Sequence, residues 1–268
     1  MAEGGHGRRL SPWARLILYT ALVAVAGLVV TGLNAGALNE SGGDGRLSGW
    51  VLLVAAALVP VMYRFGEGRS PAHMGLRLEG FARQASSGAL WGAIGVMGAV
   101  TLFWAVGWVH WPKGFSGATP GRGLISCSFL ALWEELAFRG YLFSTLRSQY
   151  GSRPAVVGSA LLYALYAAMG APGPLFACNR FLLGLLLAQS RDNSNSLGWA
   201  VGFHWMWIGL QGPLFGMGVP ALGGPVAEWF GPQWLFPDEA GLESGAAATA
   251  GLIVYLGLFS HFLSKRSS

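Results

Sequence analysis

Ile125-Ser126-Cys127-Ser128-Phe129-Leu130-Ala131-Leu132-Trp133-Glu134-Glu135-Leu136-Ala137-Phe138-Arg139-Gly140-Tyr141-Leu142-Phe143 is an apolar stretch interrupted by two adjacent glutamates and by an arginine four residues past the second. Ionisable side chains are so costly at membrane depth that this cluster is the first place to look for chemistry. The rest of the chain supplies the membrane setting. Of its 268 residues 53% are hydrophobic and 11% charged, and the mean hydropathy is +0.48, values of a polytopic membrane protein and not of a soluble domain. Apolar runs of spanning or near-spanning length for a core of ~30 Å fall at about 14–33, 48–63, 85–109, 123–143, 154–170, 173–190, 196–217 and 246–263. The predicted fold is therefore all-α, a polytopic bundle of about eight transmembrane helices forming one domain over residues 1–268. The fifth and sixth are the shortest, parted by Gly170-Ala171-Pro172-Gly173-Pro174, a turn that no continuous helix crosses.

Charge gives the orientation. Arg8, Arg9 and Arg15 open the chain, Arg64, Arg69, Arg77 and Arg83 lie between the second and third spans, Arg147 and Arg153 follow the fourth, Arg191 follows the sixth, and Lys265 and Arg266 close it. With eight spans all of these fall on one side, while Asp44, Asp238, Glu239 and Glu243 fall on the other, so both termini are predicted cytoplasmic. The net charge of +5 is spread over loops without a basic stripe of interleaved aromatics, which fits contact with anionic lipid and excludes a nucleic-acid partner. The first span has no evident cleavage site and reads as a retained helix. Cys127 and Cys178 fall inside spans and imply neither a disulfide nor a metal site. Gly218 to Ser244, with Trp229, Phe230, Trp234 and Phe236, is the least regular stretch. It reads either as a re-entrant or interfacial segment near a cavity mouth or as an ordinary loop with interfacial anchors.

On a helix Glu135 and Arg139 stand i,i+4 and share a face, close enough for a charge-assisted pair, while Glu134 is turned about 100° away. One glutamate can then be neutralised as structure and the other left in an interior cavity, where a desolvated carboxylate serves as general base toward water. Alternatively, both acids only pair with cations in a buried network. His204, in Gly202-Phe203-His204-Trp205, lies mid-span and is either a hydrogen-bonded structural histidine or a second functional group. Asn179 and Arg180 are also polar at depth, with Arg180 either reaching for an interface or facing the acids. His6, His73, His110 and His261 lie in exposed segments or near span ends and carry no assigned chemistry.

Several motifs in order extend this picture: Glu-Glu-x-x-x-Arg from Glu134 to Arg139 with Gly140-Tyr141-Leu142-Phe143, then Asn179 with Phe181 through Ala188, then Ser196-Leu197-Gly198-Trp199, Gly202-Phe203-His204-Trp205 and Gln211 to Gly216. Together they resemble the CPBP family, the CAAX proteases and bacteriocin-processing enzymes also called the ABI family, over a core of about residues 120–217. The resemblance implies an all-helical intramembrane endopeptidase in which Glu134 activates water, Glu135 and Arg139 shape the site, and His204 is the histidine of the third motif. Family members have been described both as metalloproteases and as metal-independent glutamate proteases.

The chain departs from that pattern twice. The second-motif histidine aligns with Ala167, in Tyr163-Ala164-Leu165-Tyr166-Ala167, and the asparagine four residues past the third-motif histidine aligns with Ile208. Neither replacement can bind metal or orient water, which argues against a firmly held zinc and leaves no cofactor expected. Tyr163, Tyr166 or Arg180 is available as a substitute donor. The expected function is peptide-bond hydrolysis in a membrane-associated protein or peptide. The alternatives are an inactive relative that binds a membrane partner, as an immunity-type protein does, and, third, a transporter using the intramembrane acids. Short loops and Gly- and Ala-rich helices point to a bacterial inner membrane.

Overall fold

A computed structural model describes Ala14 and residues 46–111, 120–169, 173–217, 228–236 and 241–264. The expected first span, at about 14–33, therefore lies outside the described residues apart from Ala14. The described helices are α1 (Arg46–Gly66), α2 (Phe81–Ala105), α3 (Pro120–Glu134), α4 (Phe143–Tyr150), α5 (Ser152–Ala168), α6 (Pro174–Ser194), α7 (Gly198–Gly209) and α8 (Ala246–Ser264). Short 3-10 turns at Pro71–Met74 and Leu242–Ser244 and a two-residue antiparallel ladder, β1 (Val109–His110) against β2 (Glu228–Trp229), complete the described elements. The all-α class is as expected.

The α3 helix does not stop at its glutamates. It runs through a π-helical segment, Glu135–Leu142, directly into α4, so what reads as one span ending near residue 143 continues as a helix to Tyr150. A second π segment, Leu210–Leu214, extends α7 and contains Pro213. π turns are rare and frequent at functional sites; the first of these contains Glu135 and Arg139, and the second follows the helix that carries His204.

Among the described residues, only α2 is long and apolar enough to cross a membrane on length and composition, with shorter apolar helices at Leu52–Phe65 and Ala246–His261. The other helices miss that mark for physical reasons: α7 has 12 residues before its π segment, α5 has 17, and α3 and α6 carry ionisable groups. Apolar side chains nevertheless face outward, among them Leu58, Leu90, Ile94, Leu161, Leu165 and Val254. Outward apolar faces on several helices suit a hydrocarbon solvent better than water.

Two apolar clusters form the interior. One gathers α1, the π segment, α4 and α5 around Tyr63, Phe138, Phe143 and Tyr163, and the other gathers α2, α6, α7 and α8 around Val96, Leu186, Phe203 and Trp207. Within the second, α2 and α7 meet backbone to backbone because each carries glycines four residues apart. Gly88 and Gly92 lie against Trp199 and Phe203, while Gly198 and Gly202 lie against Phe81 and Ala85. Small residues at this spacing let helices close on each other in lipid, where apolar surface alone gives no drive to associate. The segment from Gly218 to Ser244 is described in part: Trp229 lies in β2, Phe236 is buried in the second cluster, and Phe230 and Trp234 are exposed.

A Cβ on Gly202 would lie 1.9 Å from the Ala85 carbonyl oxygen, whereas one on Gly98 would meet nothing within 4 Å. Gly202→Ala is expected to destabilise the fold by about 1–3 kcal/mol, and Gly98→Ala to leave it unchanged or slightly firmer, in thermal unfolding of the detergent-solubilised protein.

Candidate active site

The polar residues of the two clusters meet at the seam between them. Glu134 ends α3, and Glu135 and Arg139 follow in the π segment; Tyr163 comes from α5, Arg180 from α6 and His204 from α7. Glu135, Arg139 and His204 are completely buried, and Glu134 keeps 7% of its surface.

Glu135 Oε1 accepts from Arg139 Nη1 at 2.9 Å and lies 2.9 Å from His204 Nδ1. A carboxylate only accepts, so this contact puts the imidazole proton on Nδ1 and leaves the Nε2 lone pair free to accept. Nε2 lies 3.4 Å from the Tyr163 hydroxyl and 3.5 Å from Glu134 Oε2. Tyr163 donates to that same Glu134 oxygen at 3.0 Å, and Arg180 Nη1 donates to the Tyr163 oxygen. Glu134 Oε2, Tyr163 Oη and His204 Nε2 thus converge on one spot. The Arg139 guanidinium lies 4.2 Å over the Tyr163 ring, an attraction between cation and π face that ties the two branches together.

The two glutamates differ in environment. Glu135 is paired directly with a guanidinium, while among the described residues the guanidinium nearest to Glu134, that of Arg180, stands 3.8 Å away with the tyrosine hydroxyl bridging them. The i,i+4 geometry expected for Glu135 and Arg139 survives the π turn, and Glu134 is the acid left without a direct guanidinium hydrogen bond.

The auxiliary residues separate. Tyr163 and Arg180 reach the acids. Tyr166 lies near enough to Glu134 to feel its charge but makes no hydrogen bond to either acid among the described residues, and its ring packs against Phe138 with centroids 5.3 Å apart. Asn179 is a fastener, donating to the carbonyls of Glu243 (2.8 Å) and Gly245 (3.1 Å) and accepting from Thr249 (2.7 Å). Ala167 and Ile208 are partly buried and bring no polar group. Glu243, read from sequence as a loop acid on the far side of the membrane from the arginines, is instead part of the cluster: it ion-pairs with Arg180 Nη2 and accepts from Trp207 Nε1 at 2.7 Å. The only advance signal was an acid just before the last apolar run, and an acid in a Gly- and Pro-rich stretch reads as solvated.

A resident zinc does not fit these residues. Among the described residues no three His, Cys, Asp or Glu side chains group as metal ligands, Glu135 Oε1 and His204 Nδ1 are spent on each other, and guanidiniums accompany the carboxylates.

The fold and cluster together define a class: an all-helical protein with acids, a histidine and arginines sealed between apolar helices. Residues 116–210 match the family model described as type II CAAX prenyl endopeptidase Rce1-like, so this part of the chain is similar to the CAAX proteases, a family of membrane proteases. The match takes in Glu134, Glu135, Arg139, Tyr163, Arg180 and His204, and Glu243 lies beyond it. No curated protein and no solved structure matches the chain.

Removing one member of a buried ion pair strands the other. Arg139→Met and Glu135→Gln are each expected to destabilise the protein by about 3–5 kcal/mol, and the double variant by clearly less than the sum, in a double-mutant cycle of thermal unfolding.

Proposed function

We propose that this chain is an intramembrane endopeptidase in which Glu134 activates water to cleave a peptide bond in a membrane-associated protein or peptide. The convergence of Glu134 Oε2, Tyr163 Oη and His204 Nε2 within 3.0–3.5 Å of one another carries this reading. Water is held between the Glu134 carboxylate and the His204 Nε2 lone pair, with the imidazole oriented from behind by Glu135. As the water oxygen attacks the carbonyl carbon, its proton passes to Glu134. A protonated Glu134 no longer needs the Tyr163 hydroxyl, which turns to donate to the new oxyanion, with the Arg180 guanidinium held beside it. The C–N bond then breaks, and Glu134 returns its proton to the leaving amine nitrogen. No metal takes part. In this scheme Tyr163 and Arg180 supply the donors that Ala167 and Ile208 cannot.

The setting proposed is a bundle of about eight spans with both termini cytoplasmic, in a bacterial inner membrane. The core over about residues 120–217 holds the hydrolytic groups.

A second reading is an inactive relative that binds a membrane partner. The observation favouring it is Arg180, which at 3.8 Å from Glu134 contributes to neutralising the proposed base.

The two separate in proteoliposomes supplied with a panel of prenylated CAAX-tail peptides. Glu134→Gln is expected to abolish cleavage. Tyr163→Phe and Arg180→Gln are each expected to lower kcat by about 10²–10³ with little change in KM, and Tyr166→Phe to leave it near native. A metal chelator is expected to have no effect. Full activity in Glu134→Gln, or in both Tyr163→Phe and Arg180→Gln, rejects the scheme.

A further inference from the structure

Away from the acids, where the α1–α2 connection meets the C-terminal ends of α4 and α6, lies a cavity of about 250 Å³. Arg69, Arg77, Arg147 and Arg191 line it together with His73 and Tyr63, and none of the lining residues is acidic. Arg147 has direct compensation: its Nε lies 3.3 Å from Asp192, and its Nη1 donates to Asn195 at 2.7 Å, while Asp192 attracts Arg191 only without direct contact.

Arg191 differs. It is 3% exposed, and its guanidinium is pinned from Nε to the Met74 carbonyl (3.1 Å) and from Nη2 to the His73 carbonyl (3.0 Å), over the Phe143 ring. The turn supplying those carbonyls is firmly built. Ser70 caps it, Pro71 opens it, and Gly75 closes it at φ +86, where an added Cβ would lie 2.5 Å from Arg191 Nε. Arg191 Nη1 has no hydrogen-bond partner among the described residues.

A buried guanidinium with carbonyl partners and no direct carboxylate is expensive, and three more guanidiniums around the same small space add repulsion. A bound anion relieves both. Guanidinium forks match phosphate oxygens in geometry as well as charge.

We propose that this cavity is a binding site for a phosphate-bearing anion. Phe65 and Leu78, 83% and 92% exposed, bracket the connection that carries Arg69, His73 and Arg77. Apolar side chains presented beside cations belong at a bilayer interface, so the headgroup of an anionic phospholipid is the favoured source and free phosphate the other. The site stands whether or not Glu134 hydrolyses peptides.

The test uses the full chain in uncharged detergent. Native mass spectrometry compares short-chain phosphatidic acid with the matching phosphatidylcholine, and calorimetry measures inorganic phosphate separately. Because Arg191 also ties α6 to the Met74 turn, Arg191→Gln is paired with Arg77→Gln, whose side chain is exposed. Phosphatidic acid is expected to be retained over phosphatidylcholine, about tenfold more weakly in either variant and unchanged in Arg153→Gln, which lies outside the cavity lining. Phosphate binding with the same variant pattern but no added gain from lipid also supports the site and identifies the soluble source. The proposal is overturned if neither ligand binds selectively, if Arg77→Gln binds as the native chain does, or if Arg153→Gln weakens binding equally.

Discussion

A single carboxylate oxygen, Glu135 Oε1, receives both the Arg139 guanidinium and the His204 imidazole in a completely buried position. Much else follows from that shared contact. It pairs one nitrogen of the arginine that the chain has placed inside an apolar helix, sets the tautomer of the histidine, and joins α7 to the π segment across the seam between the two apolar clusters. The same contact pairs Glu135 directly with a guanidinium and leaves Glu134 with the Tyr163 hydroxyl as its donor. Two adjacent carboxylates of the same chemistry thus acquire different partners from their surroundings.

The contact needs helices held unusually close, and the backbone provides this. The glycines of α2 and α7 let the two helices approach to backbone contact, which fixes α7 against one neighbour while His204 faces the other. On the opposite wall Gly184 of α6 rests against Ala160 of α5, so that Arg180 and Tyr163 approach the acids together. The Leu242–Ser244 turn closes the far side. Asn179 holds its backbone and Arg180 its carboxylate, so two consecutive residues of α6 secure one segment.

Glu134, Glu135, Arg139 and His204 were legible in the sequence because ionisable groups in apolar runs are conspicuous, and the i,i+4 spacing named the right pair. Tyr163 and Arg180 were legible as candidates only: helical periodicity says which residues share a face, not which neighbour that face meets. Tyr166, equal to Tyr163 on sequence grounds, turned out to pack on Phe138. Glu243 was not legible, since its role depends on a chain reversal that hydropathy does not encode. The π segments escaped for a related reason, as a π turn and an α turn have the same composition. Span counting was limited as well, because the polar groups and short helices that build the cluster are what pull most helices below the length and apolarity of α2.

Cleavage by Glu134 is the central claim, and it is tested most directly in living membranes. Host cells lacking the chain are complemented with the native protein or with Glu134→Ala at equal abundance, and the amino-terminal peptides of their membrane and secreted fractions are profiled. New amino termini that appear only with the native chain are the expected result, and they would identify the substrate at the same time. Identical profiles, with Glu134→Ala restoring the phenotype of the deletion, would contradict the hydrolytic assignment and leave a binding protein built on the same buried network.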